Sequence, residues 1–172
     1  MSPVWAEKNE GAGVVVAVVD DGVEIGHEDL VANIYADRSL NLEPTATVGV
    51  TDPSPQVWSQ DHGTAVAGLI AAARNTVGGR GVAPQAKLIG INLLQNFNAT
   101  NTAIAMLHAD DIVDISNNSW GNVDGTGELG YVGPLWRQAV NDGVIKGRNG
   151  KGIVYLFAAG NGCLLYTSDA AD

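Results

Sequence analysis

Apolar residues fall along this chain in short blocks, some continuous and some with helical spacing. Val14-Val-Val-Ala-Val-Val19 is an unbroken run rich in β-branched residues, ended by Asp20-Asp21-Gly22. Such a run predicts a strand buried on both faces of a parallel sheet, because a strand with one wet face would alternate. Residues 31–60, punctuated by Pro44, Pro53 and Pro55, predict loop and short irregular elements. From Gly63 to Ala73 the stretch containing AVAGLIAAA predicts a buried helix, opened by the start signature Asp61-His62-Gly63-Thr64. Beyond it, Leu88–Asn92 predicts a second strand, Thr102–Ala109 a helix and Ile112–Ser116 a third strand. Gly133–Lys146 then predicts an amphipathic helix and Gly152–Ala158 a fourth strand. Strands alternating with helices predict right-handed βαβ units and a doubly wound α/β fold with a parallel sheet. Chemistry in such folds collects at the carboxyl ends of strands. Asp20, Ser119 and Asn161 each stand just past a predicted strand.

Composition narrows the class. With 172 residues, 45% of them apolar, the chain can build one domain with a real core. A net charge of −10 argues against nucleic acid or an anionic membrane as partner and suits cations or basic substrates. A merely solvated acidic surface would give the same charge. One cysteine, Cys163, allows no internal disulfide and tells nothing of the redox compartment. No apolar run approaches the roughly 20 residues needed for a membrane span. Met1 is followed at once by domain-like sequence from Trp5, with no basic and apolar leader, so a missing N-terminal region is expected.

Four segments carry the candidate chemistry: VAVVDDGVEIGHEDL around Asp20, DHGTAVAG around His62, NNSWG at residues 117–121 and FAAGNG around Asn161. In this order they resemble the aspartate, histidine, substrate-cleft and oxyanion-asparagine motifs of the subtilase family of serine proteases. The resemblance covers roughly residues 5–162. Four ordered motifs are a specific signal, where a lone HGT or DDG would not be. They imply a doubly wound, three-layer subtilisin-like fold, incomplete at the C-terminus. A serine hydroxyl is a poor nucleophile and needs a base of near-neutral pKa. By resemblance His62 is that base, and Asp20 holds its other ring nitrogen and fixes the tautomer. Asn161 would donate its amide to the developing oxyanion. Plainer readings exist: Asp20 and Asp21 as turn residues, His62 as a capping or core histidine, Asn161 as a left-handed turn residue between glycines. The family places its acid directly after the apolar strand, so the resemblance favours Asp20 over Asp21. His27 and His108 have no motif around them and are expected at the surface.

The DDG form, Trp5 ahead of the strand and the SWG segment resemble the kexin/furin branch. That branch implies Asp21 in an acidic subsite for basic side chains, and Asp124 near the specificity pocket and an associated calcium site. TNTAIAML lacks the acid that branch places on the neighbouring helix, and Val132 stands where another is expected. Full dibasic specificity is therefore not expected, whereas a preference for Arg or Lys beside the cut is. Ser119, Trp120 and Gly121 would bond a peptide as an added strand, with Gly121 leaving room for its side chain. Trp120 also suits a buried aromatic.

Asn75-Thr-Val-Gly-Gly79, followed by Arg-Gly-Val-Ala-Pro84, resembles the family's calcium loop. A hard cation takes about six to eight oxygens. The resemblance assigns Asp29 and Asn75 by side chain and Ala72, Val77 and Gly79 by carbonyl, with a further ligand in an N-terminal segment outside this chain. A glycine-rich turn without metal is the plainer reading. No Cys/His cluster suggests zinc and no Walker-type loop suggests phosphate.

The expected function is a calcium-dependent serine endopeptidase, secreted, periplasmic or at the cell surface. Its partners would be a protein or peptide substrate and a pro-segment inhibitor, with no nucleic acid and no membrane span. The nucleophile belongs in a Gly-Thr-Ser type segment, which this sequence lacks; Ser168, in YTSDAAD, has no preceding glycine. Residues 1–162 are thus expected to be a partial catalytic domain, inactive alone, and 163–172 a non-native tail from sequence assembly. One alternative is a peptide-binding relative that lost its serine. Another, a nucleotide-binding domain, lacks a phosphate-binding glycine loop after the first strand, where DDGVEIGHEDL stands instead.

Overall fold

The computed structural model describes residues 3–7, 9–35, 37–45, 48–121 and 133–161. Its elements are α1 (Pro3–Ala6), β1 (Val15–Asp20), β2 (Leu40–Asn41), α2 (His62–Ala71), β3 (Lys87–Asn92), α3 (Ala99–Leu107), β4 (Ile115–Asn118), α4 (Pro134–Gly150) and β5 (Val154–Phe157). The five strands form one parallel sheet in the order β2-β3-β1-β4-β5. From β1 the chain steps to one side for β3, then returns past β1 to build β4 and β5. Ligand crevices open where successive connections diverge in this way, outside the carboxyl ends of the strands.

All six residues of β1 are buried, as an unbroken apolar run requires. Val16 and Val18, with Leu88 of β3, pack on Ala67 and Ala71 of α2. On the opposite face Val15, Ala17, Val19, Ile89 and Ile91 meet Ala105 and Met106 of α3 and Ala139 of α4. Helices thus cover both faces of the sheet, as the doubly wound reading expects.

Element boundaries moved where polar side chains bind the backbone. α3 begins at Ala99 because the Asn98 side chain accepts the Asn101 N–H at 2.9 Å, an N-cap that the apolar spacing does not show. Ala109, at φ 54°, turns the chain after α3, and its carbonyl accepts the N–H groups of Ile112 and Val113. Those two residues therefore plug the core, and β4 runs later, through Asn117 and Asn118. β2 arises inside the expected loop because the Leu42 N–H reaches the Asn92 carbonyl at 3.0 Å. In α4 the regular helix ends near Lys146, since residues 147–149 leave helical geometry.

Candidate active site

His62 is the first residue of α2, and the helix starts where it does because two neighbours admit it. A Cβ at Gly63 would lie 2.2 Å from the Gly22 carbonyl oxygen and 2.7 Å from the Asp20 Cβ. Glycine alone lets the first turn lie against the end of β1. Asp21 then caps that turn across the chain, its carboxylate accepting the Gly63 N–H at 2.8 Å and the His62 N–H at 3.3 Å. Asp61, which holds the N-cap position, makes no side-chain cap bond. The adjacent acids divide the work: Asp20 faces the imidazole and Asp21 faces the helix backbone.

The ring contact is direct. His62 Nδ1 lies 2.8 Å from Asp20 Oδ1, which also accepts the Asp21 N–H at 2.8 Å. The Asp20 side chain is fully buried while that of His62 is 56% exposed. One edge of the ring is therefore fixed and the other is open to solvent. Burial raises the Asp20 pKa above its ordinary value, against the opposing pull of the His62 bond and the Asp21 N–H. The bond to Asp20 raises that of His62, outweighing partial burial. With Asp20 ionised, Nδ1 keeps the proton and Nε2 presents a lone pair, which suits proton abstraction from a hydroxyl.

Parallel strands put the remaining candidates at the same end of the sheet. Ser119, Trp120 and Gly121 follow β4. Trp120 Nε1 donates to the Val19 carbonyl at 2.9 Å, and its ring meets Phe97 and Phe157 edge-on, with centroids 5.4 and 6.0 Å away. The indole thus braces the end of β1, and the backbone of 119–121 is left at the rim. Ser119 Oγ accepts from Asn117 Nδ2 at 2.9 Å. Ala158 extends the β4–β5 ladder by donating to the Asn118 carbonyl, and exposed Asn161 follows Gly160, which turns at φ 89°. Asp124, Val132 and Ser168 lie outside the described residues, as does the 163–172 segment.

The 75–79 loop wraps the Asp29 carboxylate, which accepts the Gly79 N–H at 2.8 Å and Asn75 Nδ2 at 3.1 Å. Those bonds, led by that of Gly79, hold the Asp29 pKa below its ordinary value. Gly78 sits at φ 55°, and a Cβ there would lie 1.8 Å from Asp29 Oδ2. Asn75 Oδ1 accepts the Val77 N–H at 3.0 Å, and the Ala72 carbonyl accepts the Gly81 N–H at 3.0 Å. Among the described residues the carbonyls of Val77 and Gly79 accept no hydrogen bond. Nor do three His, Cys, Asp or Glu side chains gather in a metal-holding group. The Asp29 carboxylate and the carbonyls of Val77 and Gly79 are oxygen donors of the kind a hard cation takes, while Asn75 Oδ1 and the Ala72 carbonyl are engaged by N–H groups of the loop itself.

Two features carry little sequence signal. Glu10 is buried and receives Arg74 Nη1 at 3.0 Å and Arg80 Nη2 at 2.5 Å, so it ties both ends of the loop to the N-terminal segment. Asn92 is fully buried at the end of β3, directly beside Asp20. Its position after an apolar strand, like that of Asp20, was the available clue. His27 and His108 are half-buried; His27 Nδ1 accepts the Asp29 N–H at 3.1 Å, and His108 Nε2 contacts the Arg38 carbonyl at 2.6 Å.

Comparison with known proteins bears on the family of the chain. The subtilase family model, Peptidase_S8, matches residues 11–171. A dibasic-processing endoprotease of Yarrowia lipolytica is 39% identical over 160 residues, covering 92% of this chain and 16% of its own length. Kexin of Saccharomyces cerevisiae is 37% identical over 161 residues, covering 92% of this chain and 19% of its own. The chain therefore spans about a fifth or less of these two relatives. The serine protease of Aeromonas sobria, solved in complex with a chaperone, superposes with a TM-score of 0.70 at 33% identity, over 88% of this chain and 25% of that one. This chain therefore belongs to the subtilase family, with kexin-type proteases among its relatives.

Proposed function

We propose that these residues are the acid–base part of a serine endopeptidase that hydrolyses peptide bonds. The observation that carries this is the 2.8 Å contact between His62 Nδ1 and the fully buried Asp20. A serine oxygen would attack the scissile carbonyl as its proton passes to His62 Nε2, and His62 would return that proton to the leaving amine. Asp20 stabilises the imidazolium between the two transfers. Asn161 would donate to the carbonyl oxygen as it becomes anionic. The backbone of 119–121 would bind the peptide as a strand, and Asp21 and Asp124 would favour Arg or Lys beside the cut. No Gly-Thr-Ser type segment occurs among these 172 residues, which would therefore be inactive alone. A secreted, periplasmic or cell-surface setting and a pro-segment inhibitor as partner belong to the same proposal; the Aeromonas sobria protease, solved in complex with a chaperone, supports a protein partner of that kind.

The test is to express the reading frame with its downstream sequence and assay fluorogenic peptides with Arg or Lys at the cleaved bond. Cleavage should appear there, be absent from the 172-residue chain, and fall about 10⁴-fold or more in His62→Ala. Unchanged activity in His62→Ala would overturn the assignment.

Calcium at the 75–79 loop belongs to the same proposal, held by Asp29, Asn75, Ala72, Val77 and Gly79. Bound there it would supply structural cross-linking rather than reaction chemistry. Calcium at about 100 times its Kd should stabilise the fold by about 2.7 kcal/mol over EDTA. Asp29→Asn should remove most of that difference in a thermal melt; an equal rise in wild type and variant would place the ion elsewhere.

A further inference from the structure

Asp20 and Asn92 are register partners on β1 and β3, and neither side chain has measurable exposure. Both point to the α2 face of the sheet, in phase with Val16, Val18 and Leu88. Each keeps one buried oxygen with no hydrogen-bond partner among the described residues, Oδ2 of Asp20 and Oδ1 of Asn92. The other atoms are engaged: Asp20 Oδ1 by His62 and the Asp21 N–H, Asn92 Nδ2 by Glu43 Oε2 at 3.4 Å. A carboxylate oxygen and an amide oxygen are both acceptors, so neither can satisfy the other. Paired strands lie about 4.8 Å apart, which brings both oxygens within reach of one small donor.

We propose that one buried water donates a hydrogen to Asp20 Oδ2 and the other to Asn92 Oδ1, which makes Asn92 a positioning residue for Asp20. A water that donates to two buried acceptors is a stable part of a protein interior. Its donation favours the ionised form of Asp20 against the burial that disfavours it, and keeps Oδ1 turned toward His62. The ionisable groups around the pair are His62 and Asp61 at the start of α2, Asp21 after β1 and Glu43 after β2. The inference rests on Asp20–His62 being the acid–base pair, but its test reads Asp20 directly and needs no turnover.

Two measurements test it. A crystal structure that resolves solvent should show a water within hydrogen-bond reach of both oxygens; Asn92 Nδ2 bonded directly to Asp20, or no water there, would overturn the proposal. Carbon-detected titration of the Asp20 carboxyl should show its midpoint rising by about one pH unit in Asn92→Leu, a ten-fold change in proton affinity. Asn92→Thr, which keeps an acceptor oxygen, should shift it less than half as far, and serves if Asn92→Leu fails to fold. The sign is decisive. Without a bridging water the two oxygens repel, and removing the amide would lower the midpoint instead. A purely structural role for Asn92 would lower Tm and leave the midpoint in place.

Discussion

Replacing Asp21 by Ala removes both acceptors from the first turn of α2, whose own N-cap residue makes no side-chain bond. Loss of a helix cap costs about 1 kcal/mol, so Asp21→Ala should lower Tm by a few degrees. An unchanged melt would mean that Asp61 takes over the cap. Gly63→Ala should cost more, about 1–3 kcal/mol, because its methyl would enter the space of the Gly22 carbonyl and Asp20. It should also separate His62 from Asp20 and bring the His62 pKa back toward 6.5, which NMR titration would show. The pairing of Asp20 with His62 was legible because their surrounding motifs are specific. The capping role of Asp21 was not, since it depends on a contact between residues far apart in sequence. Asn92 was not legible because a buried asparagine carries no motif of its own.

At the scale of elements, burial on both faces made β1 and β3 readable as continuous apolar runs. Leu88, with no exposure, belongs to the cluster that seats α2 on the sheet. Leu88→Ala should cost about 2–5 kcal/mol in denaturant unfolding and loosen the helix that carries His62. A loss under 1 kcal/mol would show that the site collapses around the change. β4 was misplaced toward its N-terminal side because Ile112 and Val113 have strand-like composition yet serve a turn. Its true residues include two asparagines, whose strand character comes from pairing with β1 and β5 rather than from propensity. β2, two residues long, left too short a pattern to read.

For the whole molecule, the parallel sheet with helices on both faces followed from the alternation of elements, and the charge of −10 suits a protein that meets cations or basic peptides. The apolar surface was less legible. Leu69 on α2 is 73% exposed, and Val154 and Leu156 on β5 are 54% and 49% exposed. Exposed apolar side chains on a helix and an edge strand offer surface that an apolar dye can bind. The 172-residue chain should therefore enhance the fluorescence of anilinonaphthalene sulfonate under native conditions, and Leu69→Gln with Leu156→Thr should reduce it. No enhancement in the folded chain would show those faces to be covered.

The account turns on one pair, and a pH titration of the His62 imidazole by NMR, with Asp20→Asn beside wild type, reads it without any substrate. Asp20 favours the charged ring, so the His62 pKa stands above 6.5 in the folded chain. Its contribution to stability is whole below that ordinary histidine value and is lost as pH rises through the raised pKa. In the proposed protease the same midpoint would set the acid limb of activity, since a base works only when neutral. The wild-type midpoint should stand above 6.5 and fall in Asp20→Asn. A His62 that titrates at the same pH with and without the Asp20 carboxylate would contradict it.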